Sequence, residues 1–222
     1  MLNNLATALL TLFQQGGQRS DLDEAISLHR QALKLRLPPH PKQFTSLINL
    51  ANALSTRFEE EGQPSDLGEA ISLHREALEL FPPSHPNRSA SLNNLANALW
   101  IQFHQGGQQN DLDEAISLHR QALKLQPPHH PNQSGSLNDL ASALSTRFEQ
   151  RGQQSDLDEA ISLHREALEL QLPPHSNRSR ALNNLANALS TRFEQGGQQS
   201  DLDEAISLYR QALELRLPPH PK

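Results

Sequence analysis

The strongest constraint on this chain is a unit of 45 residues that recurs along its 222 residues. The segment DLDEAISLHRQALKL begins at Asp21, and close variants begin at Asp66, Asp111, Asp156 and Asp201. A period of this length is typical of stacked supersecondary units rather than of one globular core. The sequence therefore predicts a single repeat array over residues 1–222, with copies at about 1–45, 46–90, 91–135, 136–180 and 181–222.

Each copy divides into two helices, and the third copy shows the first of them most clearly. In the segment SLNNLANALWIQFHQ, apolar side chains recur at helical spacing and predict one narrow stripe. The stripe consists of Leu92, Leu95, Ala96, Leu99 and Phe103. Two consecutive glycines follow, and glycine commonly ends a helix.

The second helix of the copy has a much wider apolar arc. We expect Asp111 to be its N-cap, with Glu114 three residues later completing a capping box. The arc comprises Leu112, Ala115, Ile116, Leu118, His119, Ala122, Leu123 and Leu125. One partner cannot cover half of a helix, so this helix must contact both its own first helix and that of the next copy. Stacking then buries a flank that an isolated copy would expose.

Composition and motifs exclude several classes of function. The net charge is −6 with acids and bases interspersed, which disfavours nucleic acids and anionic membranes as partners. Cysteine is absent, which excludes disulfides and thiolate chemistry. No apolar run approaches the roughly 20 residues that span a bilayer, and no secretory leader is recognisable. No nucleotide-binding or hydrolase motif occurs. We therefore expect a cytoplasmic protein that is not an enzyme and binds no cofactor or metal.

Two rows of histidines need an interpretation. His29, His74, His119 and His164 lie in the middle of the apolar arc, and Tyr209 takes their place in the fifth copy. A tyrosine would abolish a metal or acid–base role but preserve packing, so the row is interpreted as core. The second row lies in the proline-rich links, where one histidine per copy is too sparse for a metal site. We expect a turn role for His40, His85, His130, His175 and His220.

The pattern resembles the tetratricopeptide repeat family over the whole chain, and its LNNLANAL and EAISLHREAL segments are especially similar to kinesin-light-chain-like repeats. The family's small and large positions fall on Leu95, Ala96, Leu99, Ala115, His119 and Ala122, with its helix-ending proline at Pro127. The resemblance implies an all-α, right-handed α-solenoid of five antiparallel two-helix repeats. It also implies that the first helices line a concave groove that binds peptides or other proteins. The unit of 45 residues exceeds the family's usual length of about 34.

The groove predicted from this resemblance is rich in asparagine, whose amide offers both a donor and an acceptor to a peptide backbone. An asparagine ladder therefore suits an extended peptide, although asparagine is also an ordinary soluble residue on an exposed helix. Trp100 either anchors a ligand side chain or reflects drift in one copy. The predicted groove residues are Asn3, Asn52, Asn93, Asn97, Trp100, His104, Asn138, Asn183 and Asn187.

The last helix predicts a second mode of interaction. No polar capping helix follows it in this sequence, so Leu202, Ile206, Tyr209 and Leu213 should have a flank open to water. We expect weak head-to-tail self-association through this flank and the first helix of another chain. The leading hypothesis is thus a non-catalytic peptide-binding scaffold, and the alternative is a structural array that assembles through its terminal repeats.

Overall fold

The computed structural model describes residues 1–35, 42–80, 82, 85, 87–127, 130–171 and 177–215. Within these residues the chain forms ten α-helices and no β-strand. The helices are α1 Leu2–Gln14, α2 Arg19–Lys34, α3 Gln43–Glu61, α4 Pro64–Leu80, α5 Arg88–His104, α6 Gln109–Leu125, α7 Gln133–Arg151, α8 Gln154–Glu169, α9 Arg178–Glu194 and α10 Gln199–Glu214.

The chain forms two compact units, Met1–Leu118 and His119–Lys222. In the first unit α1 packs on α2 and α3 on α4, and neighbouring pairs meet through α2 with α3 and α4 with α5. In the second unit α7 packs on α8, α9 on α10, and α8 on α9. The predicted all-α class and the two-helix copies are confirmed. The handedness, the antiparallel orientation and the single array over 1–222 stay predictions.

The second helices bury the wide arc that their sequence predicts. In α6, Leu112, Ala115 and Ala122 are fully buried and Ile116 is nearly so. Leu125 was included in that arc, but its side chain is 47% exposed. The prediction was wrong at this position because the last turn of α6 extends beyond the packed core.

The first helices bury more of their surface than the predicted stripe. Leu92, Leu95 and Leu99 are buried as expected, but Ala98 on another side of α5 is buried as well. Its equivalents Ala53, Ala143 and Ala188 are also buried. The first helices contact each other within each unit, α3 with α5 and α7 with α9. The prediction of one narrow stripe was therefore wrong, because small side chains allow neighbouring first helices to approach.

The second helices begin earlier than predicted. α6 starts at Gln109, and the carboxylate of Asp111 accepts a hydrogen bond of 2.8 Å from the backbone N–H of Gln108. Asp21 accepts an equivalent bond of 2.8 Å from Gln18. The assignment of Asp111 as the N-cap was wrong, because its carboxylate reaches back from inside the first turn to satisfy a free N–H group.

The double glycine after α5 is required by its surroundings. Gly106 has a φ of +92°, a left-handed conformation that L side chains rarely adopt. A Cβ on Gly107 would lie 2.6 Å from the backbone oxygen of Gln102 and 2.6 Å from Oδ2 of Asp111. The two glycines therefore end α5 and also leave room for the carboxylate that caps α6, in agreement with the predicted helix end.

Candidate functional site

The histidines of the second helices lie inside the protein. His29, His74, His119 and His164 are at most 2% exposed, and burial lowers the pKa of each from 6.5 to about 4. They are therefore neutral at pH 7, which confirms their interpretation as core residues. In the described part of the chain, no group of three or more His, Cys, Asp or Glu side chains is arranged to hold a metal ion.

An asparagine of the first helix holds the imidazole in two copies. The Nδ1 atom of His29 lies 3.2 Å from Oδ1 of Asn3, and that of His164 lies 2.9 Å from Oδ1 of Asn138. Each amide also donates from Nδ2, in Asn3 to the hydroxyl of Ser46 at 3.1 Å. In Asn138, Nδ2 donates to a backbone carbonyl of its own helix at 3.1 Å. Because these bonds orient the amides, Nδ1 of each histidine is the protonated nitrogen that donates.

This contact changes the position expected for two groove residues. The sequence predicted Asn3 and Asn138 on the open groove, but their side chains are 6% and 5% exposed. Both amides make their hydrogen bonds inside the fold, so they lie beneath the surface on which a ligand would rest. The reason is the histidine that each of them contacts 26 residues further along the chain.

The second copy lacks this asparagine. Ile48 occupies the register of Asn3 and Asn138, and the Nδ1 atom of His74 is buried without a hydrogen-bond partner. Among the described residues, neither ring nitrogen of His74 makes a hydrogen bond. A buried polar atom without a partner is uncommon in proteins and needs an explanation.

A cavity of about 300 Å³ lies against this histidine, between α1, α3 and α5. Its polar lining includes Gln14, Asn52, Ser55, Thr56, Glu59, His74, Asn94 and Asn97, with Ala98 and Ile101 as apolar walls. Two of the predicted groove residues, Asn52 and Asn97, thus meet on one concave surface. Asn94 was missed, although its Nδ2 donates to Oδ1 of Asn52 at 3.0 Å. The adjacent asparagines in LNNL were the signal for it.

The remaining predicted groove residues lie in varied environments. Asn93 and Asn183 are half-buried, whereas Asn187 is exposed and accepts a hydrogen bond of 2.6 Å from the hydroxyl of Tyr209. Trp100 is half-buried against the core around Phe58 and Leu95. Its ring meets that of the exposed His104 edge-on, with centroids 4.4 Å apart. These residues are not part of the lining of the cavity beside His74.

The electrostatics of the cavity depend on Glu59. Its side chain is exposed, and partial desolvation and the adjacent Glu60 raise the pKa of its carboxyl. Within the described residues Glu59 has no ion pair or hydrogen bond, and no lysine or arginine lines the cavity. Arg57 is nearby in sequence but binds Asp66 through two hydrogen bonds, of 2.6 Å and 2.8 Å. The cavity therefore combines one uncompensated carboxylate with neutral hydrogen-bonding groups.

The arginine pairs are a feature that the sequence reasoning missed. The sequence assigned the equivalent Asp111 only an N-cap role, but Asp66, Asp156 and Asp201 are buried beside an arginine nine residues earlier. The spacing between the arginine and the aspartate, visible in copies two, four and five, was the available signal.

Two histidines in the links between repeats hold a turn of the backbone. Nδ1 of His85 accepts from the backbone N–H of Asn87, and Nδ1 of His130 accepts from that of Asn132, both at 3.2 Å. The turn role predicted for these two histidines is confirmed. His40, His175 and His220 lie outside the described residues.

A larger recess in the second unit is less suited to a ligand. It has a volume of about 660 Å³ and lies beside the turn between α9 and α10. Its charged residues already neutralise each other, since Arg165 pairs with Glu204 and Arg192 with Asp201. The recess therefore has no uncompensated group of the kind that Glu59 and His74 provide.

The last helix has the open apolar flank that its sequence predicts. Ile206, Tyr209 and Leu213 are 40%, 37% and 58% exposed, and Leu202 is half-buried. The equivalent Ile161 and His164 of the preceding copy are only 4% and 2% exposed. The difference arises because α9 covers α8.

None of the described helices is both long and apolar enough to cross a bilayer.

Comparison with known families identifies the repeat. The tetratricopeptide repeat model matches residues 1–42, 88–132 and 179–222, which is more than half of the chain. The chain belongs to the tetratricopeptide repeat family. Comparison with curated proteins finds no match.

Solved structures of tetratricopeptide-like proteins are similar over nearly the whole chain. A Podosopora anserina protein described as a kinesin light chain with nearly identical TPR-like repeats has a TM-score of 0.68 and 21% identity, covering 97% of this chain and 94% of that one. BtubC from P. vanneervenii has a TM-score of 0.70 and 18% identity, covering 98% and 82%. MamA has a TM-score of 0.58 and 16% identity, covering 92% of each. At these identities the similarities show the solenoid repeat fold alone.

Proposed function

We propose that this tetratricopeptide repeat protein is a non-catalytic scaffold whose first-helix groove binds an extended segment of a partner protein. Members of the family generally mediate protein interactions. The observation that carries the proposal is the cavity of about 300 Å³ between α1, α3 and α5. A cytoplasmic location is part of the same proposal.

The amide groups of the cavity suit a peptide backbone. Asn52 and Asn97 each offer a carbonyl oxygen and an amino group, which complement the N–H and C=O of an extended chain. Asn94 supports Asn52 through the hydrogen bond between their side chains. Such contacts hold a backbone without strong demands on its sequence, so side-chain contacts at the rim must supply the specificity.

The proposal is tested by selecting binders from a displayed library of random dodecapeptides and measuring their affinity by fluorescence anisotropy. We expect an Asn52→Ala, Asn97→Ala variant to bind the selected peptides about thirtyfold more weakly, because each of the two lost hydrogen bonds contributes roughly 1 kcal/mol. Asn110→Ala is the matched control, since Asn110 is exposed at the start of α6. Unchanged affinity in the double variant, with the helical content preserved, would contradict groove binding.

A second candidate, head-to-tail self-association, is favoured by the exposed flank of α10. Its side chains occupy the register that is buried between α8 and α9 inside the second unit. Charge is complementary as well. Successive second helices are joined by ion pairs 39 residues apart, Arg30–Glu69, Arg75–Glu114, Arg120–Glu159 and Arg165–Glu204.

Glu24 and Arg210 occupy the same two registers and have no ion pair among the described residues. Stacking α10 against α1 and α2 of a second chain would pair them and cover Leu213. The test is light scattering over a hundredfold range of concentration. We expect a mass that rises with concentration and a monomeric Leu202→Lys, Leu213→Lys variant. Leu125→Lys is the control at a similarly exposed position. A wild-type mass that stays monomeric throughout would exclude this candidate.

A further inference from the structure

We propose that the cavity beside His74 receives a basic side chain, arginine or lysine, from the segment bound in the groove. This inference rests on the proposed groove function and specifies the chemistry of its partner. It is carried by two groups that lie on the same cavity and whose interactions are incomplete, the carboxylate of Glu59 and the imidazole of His74.

Glu59 supplies the charge. Its carboxylate lacks an ion pair within the described residues, whereas the carboxylates of Glu61 and Asp66 nearby in sequence each bind an arginine. The side chain of Glu59 is exposed, but partial desolvation and Glu60 still raise its pKa, so its ionised form is less stable than in water. An incoming cation would relieve this cost. An incoming anion would increase it, so a carboxylate or phosphate does not fit.

His74 supplies a neutral acceptor. With its pKa lowered to about 4 by burial, the ring carries no charge at pH 7 and keeps one lone pair on a nitrogen. In copies one and four the side-chain oxygen of an asparagine accepts a hydrogen bond from the equivalent imidazole. In copy two Ile48 leaves that place apolar. Nδ1 of His74 is closed to solvent, so a ligand N–H group can reach this ring only at Nε2, which is accessible and has no partner among the described residues.

The rest of the lining is compatible with a donor-rich ligand. Arginine and lysine side chains carry only donors, and the lining offers the oxygens of Asn52, Ser55 and Glu59 as acceptors. Oδ1 of Asn52 accepts one bond from Asn94 and retains a second lone pair. Ala98 and Ile101 provide apolar contact for the methylene groups of the same side chain.

The test is an NMR titration of the protein, labelled with ¹⁵N in its histidine rings, with three capped tripeptides: acetyl-Gly-Arg-Gly-amide, acetyl-Gly-Lys-Gly-amide and acetyl-Gly-Gln-Gly-amide. We expect the arginine and lysine peptides to shift the ring nitrogen signals of His74, and the glutamine peptide to bind more weakly. Glu59→Gln should weaken binding of the basic peptides by roughly fivefold, since a charge-assisted hydrogen bond becomes a neutral one.

Matched variants separate this site from general electrostatics. Glu149→Gln removes the equivalent charge in copy four and should leave the affinity unchanged. His74→Phe, which removes the ring nitrogens, should weaken binding of the basic peptides.

Equal affinity for all three tripeptides, equal effects of the Glu59 and Glu149 variants, or no shift of the His74 signals would each overturn the inference. Failure of the groove function would instead leave the affinity of the library peptides unchanged in the Asn52→Ala, Asn97→Ala variant. If the library peptides lose affinity in the Asn52→Ala, Asn97→Ala variant but not in Glu59→Gln, the groove is retained and only the basic side chain is excluded.

Discussion

The first, second and fourth repeats share the segment EAISLHR, yet their histidines differ in one contact. In the first and fourth repeats the buried imidazole donates to an asparagine of the first helix, at 3.2 Å and 2.9 Å. In the second repeat Ile48 faces that register and the Nδ1 atom of His74 has no partner. Near-identical repeats thus serve as internal references, and the histidine of the copy that lacks the asparagine contact is part of the lining of a cavity.

The comparison also explains why the repeats tolerate buried histidines. A neutral imidazole whose Nδ1 donates to asparagine leaves Nε2 as a lone pair, and in His29 this atom is buried without a partner. Protonation would place a positive charge on it inside the core, where no acid among the described residues pairs with it. The histidine row is therefore stable only in its neutral form.

The largest expected effect is a loss of stability in mild acid that involves all four buried histidines. Their folded-state pKa is about 4, below the unfolded value of 6.5. The unfolded state therefore binds more protons as the pH falls from 6.5 to 4, and the free energy of unfolding decreases over this window. Each histidine contributes up to about 3 kcal/mol. Urea unfolding at pH 7 and pH 4.5 measures the loss.

The control for this prediction replaces a buried histidine by tyrosine, the residue that the fifth repeat has in the same register. His164→Tyr should reduce the acid-dependent loss by the share of one histidine, because tyrosine does not titrate in this range. The carboxyl group of Asp201, whose pKa Arg192 lowers, loses its contribution only below the histidine window. Stability that is independent of pH between 6.5 and 4.5 would contradict the assignment of the histidines as buried and neutral.

The next effect concerns the asparagine itself. Asn138→Ile gives the fourth repeat the isoleucine that the second repeat has at this position. It leaves Nδ1 of His164 without an acceptor. We expect a loss of about 1–3 kcal/mol in the free energy of unfolding, which is the typical cost of a buried donor without a partner. Asn183→Ile is the matched control, since Tyr209 of that repeat bonds to Asn187 instead, and it should change stability by less than about 0.5 kcal/mol. Equal effects of the two variants would show that the histidine contact adds nothing.

The sequence predicts the repeats better than the site, for a physical reason. Periodicity reports the direction of a side chain around its helix, so the buried leucines, alanines and histidines followed from it. It does not report depth. Asn3 and Asn52 both belong to the polar side of a first helix, but the first is bonded in the interior and the second lines the cavity.

Contacts between helices explain what the pattern omitted. The asparagine–histidine bond joins residues 26 positions apart, and the arginine–aspartate pairs join residues nine apart across a turn. Neither spacing belongs to a helical period. An alignment of the five copies shows both pairings as positions that vary between copies. Ile48 replaces the asparagine in copy two, and Leu12 and Gln102 replace the arginine in copies one and three.

A smaller effect is expected when the asparagine is introduced into the second repeat, where it is missing. Ile48→Asn restores to the second repeat the amide of the first and fourth. Its net effect on stability should lie within about 1 kcal/mol, since a new hydrogen bond offsets the lost apolar contact of Ile48. A double-mutant cycle with His74→Phe isolates the bond, and we expect a coupling energy of about 1 kcal/mol. A coupling of zero would mean that asparagine in this position does not reach the histidine.

The smallest effect tests whether the repeats differ anywhere other than at the histidine. Glu69→Gln and Glu159→Gln each break one of the ion pairs between successive second helices, in the first and second units respectively. Both partners are about 40% exposed in each pair, so water screens the interaction and each loss should be below about 1 kcal/mol. The two values, measured by urea unfolding, should also be equal, because the pairs have the same spacing and distances of 2.6 Å and 2.7 Å. A clear difference between them would mean that the local setting of the two ion pairs also differs, and the contrast between the second and fourth repeats could then no longer be attributed to Ile48 alone.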